Sequence, residues 1–240
     1  ILVFPLVLLV FHFLGKYLFK FFKKVKPKIK VAIVFGLGLV SALSLFGTVQ
    51  TNPDMGRYQV EAKYLVNNGI TSFFKDWGVF YCPIDFPVIP FFYGMAYKIF
   101  GEGELAVFLV NLFFLSGVLF FTYKIAKRFF DKKTAIVSVI LLSTTPFFLT
   151  QTPLFLVDIG QTFFLVLSIY LLLKNFEKNS LWLSFLAAII ISLASLTKGH
   201  AILFLIPVFI FSLIKTFYGN KEANFKKNFY LMLKTEEIEK

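Results

Sequence analysis

The chain has 240 residues, 58% of them hydrophobic, with 35 phenylalanines and a mean hydropathy of +0.79. Soluble domains are about half apolar and could not enclose so many large side chains, so an ordinary water-soluble core is excluded. The net charge of +12 does not point to nucleic acid, because the lysines crowd at the ends of apolar blocks, where topology and anionic membrane lipids account for them. The single cysteine, Cys82, excludes an internal disulfide and a multi-cysteine metal site, and His12 and His200 lack metal-ligand spacing.

A spanning helix needs roughly 20 apolar residues. Blocks of that kind lie at 1–15, 31–50, 105–123, 134–151, 157–173, 181–197 and 201–217. The first opens at Ile1 without an initiator methionine, which leads to the expectation of a clipped span and a fragment. Block length favours helices over the short alternating strands of a barrel. The predicted fold is therefore all-α, a polytopic integral membrane helical bundle in the cell membrane.

The basic clusters orient it. Lys16–Lys30, Lys124–Lys133 and Lys215–Lys240 are assigned to the cytoplasmic side by their positive charge. Residues 31–50 then lead outward to an outer loop, 51–104, and 105–123 returns. The remaining spans alternate and end in a cytoplasmic tail or loop, 218–240. Only Arg57, Lys63, Lys75, Lys98 and Lys198 fall on the outer side as cations.

Within the outer loop, 88–100 is too short to span and predicts an interfacial helix. Residues 57–67 predict a second, with Arg57, Glu61 and Lys63 on one side. Trp77, Phe80, Tyr81 and Tyr93 are expected at headgroup depth. No GxGxxG, Walker or HExxH pattern occurs in the sequence.

The spans carry almost no ionisable residue, and 105–123 offers only Asn111 as a polar break. A carrier or proton relay would place such groups near the midplane. Asp158 opens one span and Lys198 closes another, and the topology puts both at the outer boundary with Asp54, Arg57 and Asp85. Each has a bland alternative. Asp54 and Asp158 could be helix caps, Arg57 an interfacial anchor, Lys198 a snorkelling lysine, Tyr58 part of an aromatic belt and His200 a polar boundary residue.

This layout resembles that of the GT-C glycosyltransferases, in particular the branch of protein O-mannosyltransferases and the lipid A aminoarabinose transferase. Asp54-Met55-Gly56-Arg57-Tyr58 is similar to the branch's Asp-Glu-x-Arg-Tyr opening of the first outer loop. Asp85-Phe86-Pro87 resembles its acid-Lys-Pro motif, and Tyr97-Lys98-Ile99-Phe100-Gly101 its Lys-Leu-Phe-Gly segment. Val157-Asp158 is similar to the start of a later span, and Leu196-Thr197-Lys198-Gly199-His200 resembles a Leu-Thr-Lys-Gly-Pro turn. The chain departs from the pattern at Met55 for the second acid, Phe86 for lysine and His200 for proline.

The resemblance implies the N-terminal part of a longer transferase. Such an enzyme moves a glycosyl group, with inversion, from a polyprenyl-phosphate-linked sugar to an acceptor hydroxyl on a protein, glycan or lipid at the outer face. On that reading Asp54 is the catalytic base. Arg57 and Lys198 hold the donor phosphate, Asp85 and Asp158 orient the acceptor or sugar, and Tyr58 and His200 complete the binding residues. Asp54, Asp85 and Asp158 could hold a divalent metal through hard oxygen ligands, but members of the branch work without one, so no cofactor is assigned. The alternatives are a polymerase or ligase of lipid-linked glycans, a transporter or flippase of those glycans, and a non-catalytic membrane subunit.

Overall fold

The computed structural model describes residues 53–79, 86–204 and 206, with isolated positions between 32 and 47. The expected span 1–15, most of 31–50 and 201–217, and the tail 218–240 lie outside the described residues, as do Phe80, Tyr81, Cys82 and Asp85. The chain divides into two compact units after Gly199. No strand occurs among the described residues, in keeping with the all-α expectation.

Helix α1, Pro53–Lys75, opens on a proline, whose missing N–H costs nothing in a first turn. Asp54 in its first turn and Lys75 in its last complement the helix dipole. The helix is kinked at Gly69, whose φ of +82° a side chain would resist. Across the kink, Tyr64 donates to Asp76 at 2.7 Å, tying the helix to the turn that follows it.

Helix α2, Val88–Phe100, coincides with the predicted interfacial segment and ends at Gly101, with φ +86°. It packs on α1 where a Cβ at Gly94 would lie 2.9 Å from the Ala62 carbonyl oxygen and from Leu65 Cβ. A small residue lets the two backbones approach at that point.

Helix α3, Glu104–Phe129, is the centre of the first unit and packs against α2, α4 and α6. Its enclosed face carries Phe108, Asn111, Phe114, Leu115, Val118 and Leu119. Phe114 meets Phe92, Phe163 and Phe164 at ring separations of 5.3–5.7 Å, an aromatic seam joining α2, α3 and α6.

The predicted span 134–151 is not one helix. It forms α4, Lys132–Ser143, and α5, Pro146–Gln151. Pro146 has no N–H and disfavours the helical conformation in the residue before it, so Thr145 is extended, at φ −66° and ψ 124°. Asp131 caps α4, accepting from Thr134 N at 2.8 Å.

Helix α6, Asp158–Lys178, and helix α7, Leu181–Ser195, form a hairpin. Asn179 supplies the left-handed residue at its corner, at φ 46°. The Asn175 side chain accepts from Ser180 N at 2.9 Å and donates to Ser184 Oγ at 2.7 Å, fixing the turn. Two described helices, α3 and α6, are long and apolar enough to cross a membrane; α2 and α7 are apolar but shorter. A 3-10 turn, Gly199–Phe204, follows.

Candidate functional site

The α6–α7 hairpin brings the N-terminus of α6 beside the C-terminus of α7. An acid opening the first helix and a cation closing the second are each favoured by the local dipole. Lys198 Nζ and Asp158 Oδ1 lie 2.8 Å apart, although 40 residues separate them in sequence. Lys198 is 42% exposed and Asp158 27%, so the pair is half-enclosed. The Lys198 main chain is held by N–H donation to Ala194 O and by Gln161 Nε2, which donates to its carbonyl at 3.4 Å.

These contacts bear on the alternative roles of the two residues. Val157, not Asp158, is the N-cap of α6, and its side chain makes no cap hydrogen bond. Lys198 turns to Asp158 rather than extending alone toward a surface.

Asp54 likewise lies within the first turn of α1, where its Oδ1 is 3.0 Å from Arg57. Both remain substantially exposed, at 57% and 39%. Tyr58, one turn on, is buried.

Tyr93 links the two regions. It is fully enclosed by protein, because α2 turns that face onto its neighbours. Its hydroxyl donates toward Asn111 Oδ1 at 2.8 Å and the Leu156 carbonyl at 2.7 Å. Burial, chiefly, pushes the phenol far above its ordinary pKa, and the nearby Tyr58 and Asp158 act in the same direction. Tyr93 therefore stays a neutral donor, on a helix packed against α1 and bonded to the carbonyl two residues before Asp158.

The motif around residue 86 also reaches this region. A Cβ on Gly199 would lie 3.4 Å from the Phe86 ring, which brings the residue after Asp85 beside the residue after Lys198. Asp85 lies outside the described residues, and His200 is exposed at the start of the second unit. No three His, Cys, Asp or Glu side chains converge among the described residues.

Glu61 departs from expectation. The sequence reading set it with Arg57 and Lys63 on the polar side of its helix, yet it is fully buried. Its spacing from Tyr58 and Leu65, three and four residues, is the helical repeat of the face turned to α2, and that repeat was the signal available. Gln161 and Thr152 are further buried polar residues, which no motif in the sequence marks.

Residues 83–233, more than half of the chain, match the dolichyl-phosphate-mannose-protein mannosyltransferase family. The chain belongs to that family. It is thereby a member of the GT-C superfamily, as its motifs suggested, and a membrane protein. A protein of Aquifex aeolicus (strain VF5), described as uncharacterized, is 37% identical to this mannosyltransferase-family chain over 118 residues. That match covers 48% of this chain and 23% of the Aquifex protein, so the chain spans only a part of the relative's length.

Proposed function

We propose that this chain carries the donor-binding end of a membrane glycosyltransferase. The reaction moves a glycosyl group from a polyprenyl-phosphate-linked sugar to an acceptor hydroxyl at the outer membrane face. The observation that carries this reading is the Asp158–Lys198 pair, built from two helix ends of a chain of this family.

Lys198 has three N–H donors and spends one on Asp158, leaving two for a phosphate. Asp158 then aims the ammonium rather than competing with the donor. Arg57 offers a planar fork suited to bidentate phosphate contact, as Lys198 offers a point charge. Asp54 accepts the proton of the acceptor hydroxyl while its oxygen attacks the anomeric carbon. The bond from that carbon to the phosphate oxygen breaks, and polyprenyl phosphate leaves with the electron pair, its charge met by Lys198 and Arg57. One displacement inverts the anomeric centre. Asp85, Tyr58 and His200 remain binding residues on this reading. Multi-pass topology with the site on the extracytoplasmic face is part of the same proposal, supported by the basic clusters and the apolar outer surfaces of α3, α4 and α7.

The test uses the full-length protein in lipid nanodiscs with a polyprenyl-phosphate sugar. Removing a general base costs on the order of 10² to 10⁴ in rate, so Asp54→Asn is expected to lose transfer by at least about 100-fold. A wild-type rate in that variant would remove Asp54 from the mechanism.

A further inference from the structure

The segment between α5 and α6, residues 152–157, is irregular and yet lies inside the protein, with Thr152, Phe155 and Val157 at 0%, 4% and 2% exposure. Buried irregular backbone has carbonyls that no helix serves, and they need other donors; Leu154 O finds a backbone donor within the segment, the N–H of Leu156 at 2.9 Å. Three of them find one in two side chains on two other helices. Asn111 of α3 donates to Thr152 O at 3.0 Å and to Leu154 O at 2.7 Å. Tyr93 of α2 donates toward Leu156 O at 2.7 Å.

The hydrogen count is tight. Backbone carbonyls only accept, so the side of the Asn111 amide facing Thr152 and Leu154 is its NH₂, and both hydrogens are spent. Asn111 Oδ1 then faces the Tyr93 hydroxyl at 2.8 Å. That single hydrogen is shared between Oδ1 and Leu156 O. The residues are interdependent: Tyr93 fixes the amide, and the amide fixes the turn.

The clamp ends two residues before Asp158, a chain length of at most about 7 Å. Pro153 contributes no N–H of its own, and Gly160 allows Ile89 and Phe114 to press against the first turn of α6. The start of α6 is therefore set by α2 and α3 rather than by a cap of its own.

We propose that Tyr93 and Asn111 are positioning residues for the Asp158–Lys198 pair: their hydrogen bonds to the Thr152, Leu154 and Leu156 carbonyls decide where α6 begins and so where Asp158 meets Lys198. The consequence for transfer rests on the glycosyltransferase reading, whereas the clamp itself does not.

Zero-length carbodiimide coupling tests this in the folded full-length protein without substrate. It joins Asp158 to Lys198, and in the same molecules it joins Glu102 to Lys63, a second exposed pair at 3.3 Å that serves as internal control. Peptide mass spectrometry gives the ratio of the two products. In Tyr93→Phe and in Asn111→Leu the ratio of Asp158–Lys198 to Lys63–Glu102 product should fall about three- to tenfold, the shift that loss of one net hydrogen bond allows. The transfer rate should fall in parallel. An unchanged ratio in both variants overturns the proposal. So does an equal loss of both products, which reports general unfolding and a merely structural role. If the wild-type protein shows no transfer while the ratio falls as expected, the transferase reading fails and the clamp stands.

Discussion

Helix α6 has two ends that treat charge in opposite ways. At its start one acid, Asp158, meets one cation, Lys198, and a buried hydrogen-bond clamp holds the chain just before it. At its finish, about 30 Å away by helical rise, residues 124–133 and 174–178 contribute seven cations against two acids. Only Arg128 there forms a described ion pair, with Glu177 at 2.9 Å, and Lys124 lies 5.3 Å from the Phe120 ring centre. An excess of one sign on lysines suits anionic lipid and topology. A single pair assembled from distant segments suits the donor-binding role proposed for it. The difference is one of arrangement, since both ends contain the same residue types.

Four substitutions, with Lys178→Met as a control for the first, sharpen that contrast in order of expected effect. Lys198→Met should lower kcat/KM for the polyprenyl-phosphate donor by about 10- to 100-fold, the range for losing hydrogen bonds to a charged group. Lys178→Met, at the opposite end of the hairpin, should leave it unchanged; equal losses in steady-state kinetics would erase the distinction. Gly94→Ala should destabilise the fold by about 1–3 kcal/mol, because the new methyl meets Ala62 O and Leu65 Cβ at 2.9 Å. Thermal unfolding in nanodiscs reads this.

Arg128→Ala should cost less than about 1 kcal/mol and leave transfer intact, since Glu177 is 49% exposed and water screens the pair. The smallest effect belongs to Asp131. Hydrogen bonds from the Thr134 hydroxyl and N–H hold its carboxyl below the usual range. A depressed folded pKa gives stability that is complete above the unfolded value near ~3.9 and lost as pH falls through the folded one. The Tm difference between wild type and Asp131→Ala should therefore narrow below about pH 4; a pH-independent gap would show that ionisation is irrelevant to the cap.

Much of the fold was legible in apolar block length. The predicted 88–100 is α2, and 105–123, 157–173 and 181–197 lie within or nearly within α3, α6 and α7. Even the meeting of Asp158 and Lys198 was latent, because both lie roughly five helical turns from the Asn179-Ser180 corner. The break at Thr144–Thr145 was legible in Pro146, but tolerance of proline in membrane helices concealed it.

What the sequence alone determined is where chain segments become helical and which residues share a helix face, since both follow from local composition and the 3.6-residue repeat. Only the tertiary structure decided which faces are covered. Glu61 and Tyr93 are enclosed because α1, α2 and α3 pack together; the repeat puts Glu61 on one face with Tyr58 and Leu65, and packing decided that this face, acid included, is the covered one. The acceptors of Asn111 lie 41 and 43 residues away, on backbone carbonyls that carry no side-chain signature. A carbonyl is present at every residue, so its being the one left to a distant donor is a property of the folded chain.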